Sequence, residues 1–418
     1  MRILIITRNA WDDTNAIGNT MSNFFGEIED IEFANIYFRS SRPNNKLCKN
    51  YYQTSETEVL KKWFSPEKIG KRFVFDANAP RATSAGKKEK TLIRFIQKYG
   101  VKLAYKISDR LWYSKKWIND NLKDFIESYS PDMMFAFVRS APQYYLTIQY
   151  LRENYNIPLF CWIADDEYTG LLQNNSTREI ENLKYILNES SVVKGCSEEI
   201  CEYYNSIFDC KATPIYKGCD LSTPIKQTVG DPIKIVYAGN LLYGRLDIIS
   251  KIADAIEGRN VCFEVYSNTA LLSSEIQQYF GQKQCTKYMG KREYGVIKEQ
   301  LSAADIVVHV ESFEDSEILK TRYSFSTKII DYLQSGSVVL GIGPKEVSSI
   351  KYINKIPGAY VIESLDDLQT KLYDLLGDAS NFIDRAGKTR EFARQYHDSA
   401  IISKQLTQTI NQIIKEEA

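Results

Sequence analysis

The sequence predicts an α/β protein of two domains, each built on a mainly parallel sheet. A chain of 418 residues is too long for one hydrophobic core, which favours two units of about 200 residues each. Short apolar runs alternate with helical patterns in both halves, and this alternation is typical of β-α-β units. Between the halves, Pro224, Gly230 and Pro232 interrupt residues 221–232, which predicts a linker there.

Composition narrows the functional classes. The chain is 44% hydrophobic and 25% charged, as in soluble globular proteins, and its net charge is zero; we therefore expect no nucleic-acid partner. Eight cysteines without a Cys-x-x-Cys pair and two histidines argue against a zinc site and fit a reducing compartment. No apolar run is long enough to span a bilayer or to form a signal peptide. We expect a cytoplasmic protein, either free or peripheral on the inner face of the membrane.

The first half contains three predicted strands that bear on a site. Residues 3–7 form a buried first strand, and the polar loop behind it contains Gly18. Ligands bind at the carboxyl ends of the strands in such sheets, although a Gly-x-Gly-x-x-Gly fingerprint is missing here. Residues 130–138 form a turn and a strand, and the strand at 157–164 ends in Asp165 and Asp166. These two acids either cap a helix or face a cleft, where they would hold ligand hydroxyls or a developing positive charge.

Residues 81–117 form a basic segment. It contains eleven lysines and arginines against only Glu89 and Asp109, with apolar residues at roughly helical spacing. Such a segment can lie on an anionic membrane surface. It can equally be a pair of helices packed on the domain with solvated lysines, and both interpretations stay open.

The second half opens with a predicted strand at 233–238 that runs into Gly239 and Asn240 and then, ahead of a helix, Arg245. A glycine-bearing loop that ends in arginine is suited to clamp a diphosphate, so Arg245 is a candidate; a surface salt bridge is the alternative. Further strands are predicted at 261–266 and 306–310, and His309 in the latter is expected to be a core histidine.

The most informative stretch is residues 321–340. Ser326 or Thr327 is placed to cap a helix, Lys328 falls in its first turn, and Asp331 lies on the same face. Helix starts and lysines attract phosphate, and a carboxylate can accept hydrogen bonds from a ribose diol. The pattern predicts a socket for a nucleoside diphosphate, although a solvated Lys–Asp pair on an ordinary capped helix would look the same.

The run Phe-Ser-Thr-Lys-x-x-Asp-Tyr-Leu-x-Ser-Gly-x-x-Val-Leu, residues 325–340, resembles the donor-binding motif of GT-B glycosyltransferases. The nearest resemblance is to the retaining, family-4-like enzymes (glycosyl transferases group 1) of bacterial capsular and exopolysaccharide assembly. It implies two Rossmann-like α/β/α domains that face each other across a deep cleft. Residues 1–220 would bind the acceptor, 221–232 would be the linker, 233–395 would bind the donor, and 396–418 would pack back toward the first domain.

The resemblance implies a hexosyltransferase, retaining and metal-independent, with no cofactor. Its donor would be a nucleotide-diphosphate sugar, with UDP among the candidate nucleotides, and its acceptor a saccharide or a lipid-linked saccharide. The implied donor-binding residues are Gly18, Gly239, Asn240, Arg245, Met289, Ser326, Thr327, Lys328 and Asp331. The implied catalytic residues are Asp165, Asp166, Arg245 and Lys328.

The sequence departs from the family pattern at several positions. Tyr323 stands at the first of two positions that are usually glutamate, which leaves Glu314 as a candidate for the sugar-contacting acid. Lys217 stands where an asparagine is usual, in a turn expected to be mostly structural, and Asn240 stands where an arginine often occurs. A nucleotide-sugar epimerase on the same fold and a non-catalytic partner subunit of a transferase complex remain alternatives; a dehydrogenase is disfavoured by the missing glycine fingerprint.

Overall fold

The computed structural model describes residues 1–76, 101–267 and 274–417. The strands of its first sheet are β1 Arg2–Thr7, β2 Glu32–Tyr37, β3 Cys48–Gln53, β4 Lys71–Val74, β5 Met133–Phe137, β6 Leu159–Ile163, β7 Val192–Gly195 and β8 Thr213–Pro214. Their order is β4-β3-β2-β1-β5-β6-β7-β8, and only the β3–β4 pair is antiparallel. Ile3 at the centre pairs with Phe33 on one side and Met133 on the other.

The second sheet contains six parallel strands in the order β11-β10-β9-β12-β13-β14. These strands are β9 Ile233–Ala238, β10 Val261–Tyr266, β11 Thr286–Gly290, β12 Ile306–Val310, β13 Val338–Ile342 and β14 Tyr360–Ile362. Every residue of β12 and β13 is buried, which is why both read as mainly apolar runs in the sequence, with His309 as the polar exception.

Helices connect the strands in both halves. Those that precede the second sheet are α1 Ala16–Phe25, α2 Glu56–Lys61, α3 Val101–Tyr113, α4 Asp120–Tyr129, α5 Pro142–Tyr155, α6 Tyr168–Gln173, α7 Thr177–Asn188 and α8 Glu198–Phe208. The later ones are α9 Arg245–Ala255, α10 Ser274–Gly281, α11 Tyr294–Ala303, α12 Asp315–Thr321, α13 Lys328–Ser335, α14 Ser348–Asn354, α15 Leu368–Gly377, α16 Phe382–His397 and α17 Ser399–Glu417. Local signals explain their ends: Ser197 caps α8 by accepting from Ile200 N, and Gly336 ends α13 at a φ of 77°.

The connection between the two domains is fixed at both ends. The carboxylate of Asp305, which precedes β12, accepts hydrogen bonds from Lys226 Nζ at 2.5 Å, Gly230 N at 3.1 Å and Lys234 N at 2.7 Å. After α16 the chain crosses back, Cys219 pairs with Asp398 in an isolated bridge, and α17 contacts α1. The linker is therefore tied to the second sheet.

The first part of the basic segment, residues 81–100, lies outside the described residues. In the remainder, Leu111, Trp112 and Trp117 are buried in the first domain, so their apolar surface is used in the core. Ile107 is exposed. Within residues 1–76, 101–267 and 274–417, no helix combines the length and apolarity needed to cross a bilayer.

Candidate functional site

A cleft of about 2060 Å³ is lined by both domains. The second domain contributes the loop after β9, the loop after β11 and the start of α13. The first domain contributes residues 12–16 behind β1, residues 40–44, and side chains of α2 and β4. In each sheet the strand order reverses beside β1 or β9, and such switch points are where open α/β sheets bind ligands.

The start of α13 presents free donors to this cleft. Neither Ser326 nor Thr327 caps the helix with its side chain, which corrects the predicted capping. Instead, the N–H groups of Thr327 and Lys328 have no acceptor within the described part of the chain. Thr327 and Lys328 line the cleft, whereas Ser326 does not; the Ser326 N–H donates to Ser349 Oγ at 3.0 Å. Unpaired N–H groups at a helix start are suited to an anion.

Lys328 adds a cation at the same place. Within the described residues its ammonium makes no hydrogen bond and no ion pair. Burial, reinforced by the charge of Arg245, lowers the pKa of Lys328 below its ordinary value. Gly239 allows this approach, because a Cβ there would lie 2.7 Å from Tyr237 Oη and 3.1 Å from Lys328 Nζ. A poorly solvated ammonium that faces a cleft gains most from a bound anion.

Arg245 lies behind the cleft wall and does not line it. Its guanidinium donates to Val310 O at 3.0 Å, Asn240 Oδ1 at 3.1 Å and Glu311 Oε2 at 2.8 Å. Asn240 does line the cleft. In this arrangement Arg245 supports the wall through Asn240, and Lys328 is the nearer cation to a ligand.

Glu311 completes this network, although no local sequence signal singles it out. It is buried at the end of β12, and its Oε1 is 2.9 Å from His309 Nε2. Burial opposes its ionisation, but the hydrogen bond from His309 and the charge of Arg245 hold the pKa of Glu311 well below its usual range. Burial lowers the pKa of His309. His309 is thus the satisfied core histidine that the sequence predicted.

Asp331 faces the cleft one turn after Lys328. Its Oδ1 accepts hydrogen bonds from Lys217 Nζ at 3.1 Å and from Tyr294 Oη at 3.1 Å. Its Oδ2 accepts none from the described residues. Lys217 and Tyr294 also line the cleft; neither was a predicted site residue, because nothing in the local sequence connects position 217 with position 331.

The two acids after β6 lie elsewhere. Neither Asp165 nor Asp166 is part of the cleft lining. Asp165 forms an ion pair with Arg139 at 3.2 Å and accepts a hydrogen bond from Ser324 Oγ at 3.4 Å, across the domain boundary. Asp166 Oδ1 accepts from Thr169 N at 3.2 Å in the first turn of α6. Asp166 therefore makes the helix-capping contact that was the alternative interpretation.

The remaining predicted positions occupy the surroundings of the cleft. Gly18 is buried in α1, where a Cβ would overlap the backbone of Asp12, and its neighbours in the loop line the cleft instead. Met289 is half-buried, and the lining begins one residue later, at Gly290. Tyr323 stacks on Tyr203 of the first domain at 4.3 Å, and the exposed Glu314 does not line the cleft.

The described residues do not form a cluster of metal-ligating side chains. Among the described residues, no three His, Cys, Asp or Glu side chains are grouped so that they could hold a metal ion. The charged residues that line the cleft around the start of α13 are Lys291, Arg292, Glu293, Lys328 and Asp331 of the second domain and Lys217 of the first.

Comparison with solved structures identifies the fold. No protein-family model and no curated protein matches the chain. The structure of Anabaena HepE in complex with UDP superposes with a TM-score of 0.65 at 12% identity, covering 99% of this chain and 100% of that one. Sucrose-phosphate synthase from Thermosynechococcus elongatus gives 0.62 at 12% identity, covering 100% of both chains. A UDP-forming trehalose-phosphate synthase from Burkholderia xenovorans, in complex with glucose-6-phosphate, gives 0.60 at 10% identity with 99% of each chain covered. The fold is GT-B, as the sequence resemblance implied.

Proposed function

We propose that this chain is a glycosyltransferase that moves a hexosyl group from a nucleoside-diphosphate sugar to a saccharide acceptor, free or lipid-linked, in polysaccharide or glycoconjugate biosynthesis. The observation that carries the proposal is the start of α13. There, two N–H groups that have no acceptor among the described residues lie beside the ammonium of Lys328, and both Thr327 and Lys328 line a cleft shared by the two domains of a GT-B fold.

The diphosphate of the donor would bind at this helix start. Lys328 and the N–H groups of Thr327 and Lys328, at the cleft lining, would supply positive charge to it. As the bond from the anomeric carbon to the diphosphate oxygen breaks, negative charge grows on that oxygen, and fixed donors stabilise it. Arg245 contributes by holding Asn240 in the cleft wall.

The nucleoside would extend from the diphosphate toward Asp331, one turn along the same helix. Its Oδ2, which accepts no hydrogen bond from the described residues, is available to ribose hydroxyls. Residues 290–292 line the adjacent wall, where the base would lie. The other side of the cleft, formed by residues 40–44, α2 and β4, is left for the acceptor.

We infer a retaining reaction without a metal ion. The acceptor hydroxyl would attack the face of the anomeric carbon that the diphosphate leaves, and its proton would pass to the departing phosphate oxygen, so that no enzyme nucleophile is needed. This agrees with the position of Asp165 and Asp166 outside the cleft lining. Lys328 and the helix start would carry the charge that a cation carries in other transferases.

The test is thermal stabilisation by UDP, GDP, ADP, CMP and dTDP, each with Mg²⁺ and with EDTA. A nucleotide at one hundred times its dissociation constant stabilises the folded state by about 2.7 kcal/mol. We expect one nucleotide to raise Tm equally with and without Mg²⁺, and the sugar nucleotide of that base to be consumed when an acceptor is present. Stabilisation without any transfer or hydrolysis would favour the partner subunit; no stabilisation by any nucleotide would refute the donor site.

Contact of residues 81–117 with an anionic membrane surface is a further part of the proposal. The exposed Ile107 and the lysines of this segment support it, whereas Trp112 and Trp117 contribute nothing, since both are buried. Co-sedimentation with vesicles that contain anionic lipid, compared with neutral vesicles, tests the contact. Equal binding to both kinds of vesicle, or none, would remove it.

A further inference from the structure

Lys217 is a first-domain lysine held almost completely out of solvent at the donor site. It follows β8, its side chain is only 7% exposed, and its ammonium forms an ion pair at 3.1 Å with Asp331 of α13 in the other domain. Burying an ammonium is unfavourable unless it is paired. Asp331 is that partner, so the position of Lys217 depends on the two domains being in their present arrangement.

The contacts of Asp331 leave one oxygen for a ligand. Lys217 Nζ and Tyr294 Oη both donate to Oδ1, each at 3.1 Å. Burial and the negative charge of Asp331 raise the pKa of Tyr294, so its hydroxyl remains a donor at neutral pH. With Oδ1 held from two directions, the carboxylate is fixed in orientation, and Oδ2, to which none of the described residues donates, is left for a ligand hydroxyl in the cleft.

We infer that Lys217 is a positioning residue for recognition of the ribose. By fixing Asp331 from the opposite domain, it orients Oδ2 toward the 2′ and 3′ hydroxyls of the nucleotide. The inference rests on the proposed function, since it concerns the nucleotide of that donor. The preference for a ribonucleotide over an analogue without the diol then depends on a residue that belongs to the other domain.

The experiment compares UDP with 2′,3′-dideoxyuridine 5′-diphosphate, and likewise the ribo and dideoxy forms of GDP and ADP, by calorimetric titration. Wild type should bind the ribonucleotide about tenfold more tightly, or better, because its carboxylate accepts hydrogen bonds that the analogue cannot make. Lys217→Met should bring that ratio close to one by weakening ribonucleotide binding alone. Lys217→Arg, which keeps a cationic donor, should restore most of it.

The control is Lys298→Met. Lys298 forms an ion pair with Asp220 at 3.3 Å across the same domain boundary, but both side chains are about half exposed and neither lines the cleft. This variant should keep the wild-type ratio. If Lys217→Met does not fold, Tyr294→Phe removes the other donor to Oδ1 and should lower the ratio in the same direction.

The outcomes are distinguishable. A purely structural role for Lys217 would weaken both ligands equally and leave the ratio unchanged, and that result in Lys217→Met would overturn the inference while the donor site stood. Failure of wild type to bind any of the three ribonucleoside diphosphates would instead refute the proposed function, and the inference with it.

Discussion

Replacing Lys328 by methionine should affect ligand binding and protein stability in opposite directions. Methionine fills a similar volume without the charge. In the free protein Lys328 is half-buried at the cleft, and its ammonium is poorly solvated and makes no hydrogen bond or ion pair with the described residues, so its removal relieves an unfavourable desolvation. We expect the free energy of unfolding to stay unchanged or to rise by about 1 kcal/mol.

The loss of affinity follows from the same burial. A unit charge 4 Å from the ammonium is worth about 4 kcal/mol at the effective dielectric of a protein surface, and desolvation of the phosphate offsets part of it. A hydrogen bond to a charged group contributes about 1.5–3 kcal/mol net. Lys328→Met should therefore weaken nucleoside-diphosphate binding by roughly 10- to 150-fold, with a larger loss for the diphosphate than for the monophosphate.

The assay is calorimetric titration of wild type, Lys328→Met and Lys328→Arg with UDP and UMP, together with urea unfolding of each free protein. Lys283→Met is a matched control, since that lysine pairs with Asp254 away from the cleft. Wild-type UDP affinity in Lys328→Met would refute the assignment of the diphosphate to the start of α13. A marked fall in the stability of the free variant would show that the ammonium is paired after all.

Three further outcomes are expected. UDP affinity should fall as pH rises through the lowered pKa of Lys328, at a lower pH than for an ordinary lysine, and this fall should be absent in Lys328→Arg. The stability of the free protein should rise between that lowered pKa and the ordinary lysine pKa, because the folded state disfavours the charged form. Arg245→Ala should cost about 3 kcal/mol of unfolding free energy, because the buried, charged Glu311 loses its guanidinium partner and keeps only the hydrogen bond from His309. Adding Glu311→Gln should recover about half of that loss in urea unfolding, and no recovery would contradict this account. Asp305→Ala should cost about 3 kcal/mol, since two N–H groups and an ammonium lose their acceptor, while UDP affinity, measured below the unfolding transition, stays within about twofold of wild type.

The second sheet could be predicted well because its strands are buried on both faces. Mainly apolar runs such as residues 306–310 and 338–342 have few alternative interpretations. In the first sheet, β2, β3 and β4 gave no clear signal. β4 is the edge strand, and three of its four residues are exposed; β3 beside it reads Cys-Lys-Asn-Tyr-Tyr-Gln, without a regular alternation of polar and apolar residues. Their pairing is decided by neighbours that the local sequence does not contain.

The same distinction applies to the site. The proximity of Gly239, Asn240 and Lys328 could be predicted from the sequence, because the ends of neighbouring strands and the following helix meet in any sheet of this kind. The position of Lys217 beside Asp331 could not be predicted, since the two residues are 114 positions apart and lie in different domains. Nor could the position of Arg245 behind Asn240, which depends on the buried Glu311. A motif fixes the local chemistry, whereas the packing of the domains decides which charge faces the ligand.

The loop that leads into α13 is attached to the first domain as well as to the second. Ser197 Oγ donates to Tyr323 O at 2.7 Å, and Tyr203 stacks on Tyr323. A molecule that binds the first domain alone and alters the spacing of the domains would thereby change the nucleotide affinity. By thermodynamic reciprocity the nucleotide would change that molecule's affinity by the same factor. Donor and acceptor would then influence each other's affinity through the spacing of the domains, without direct contact between the two ligands.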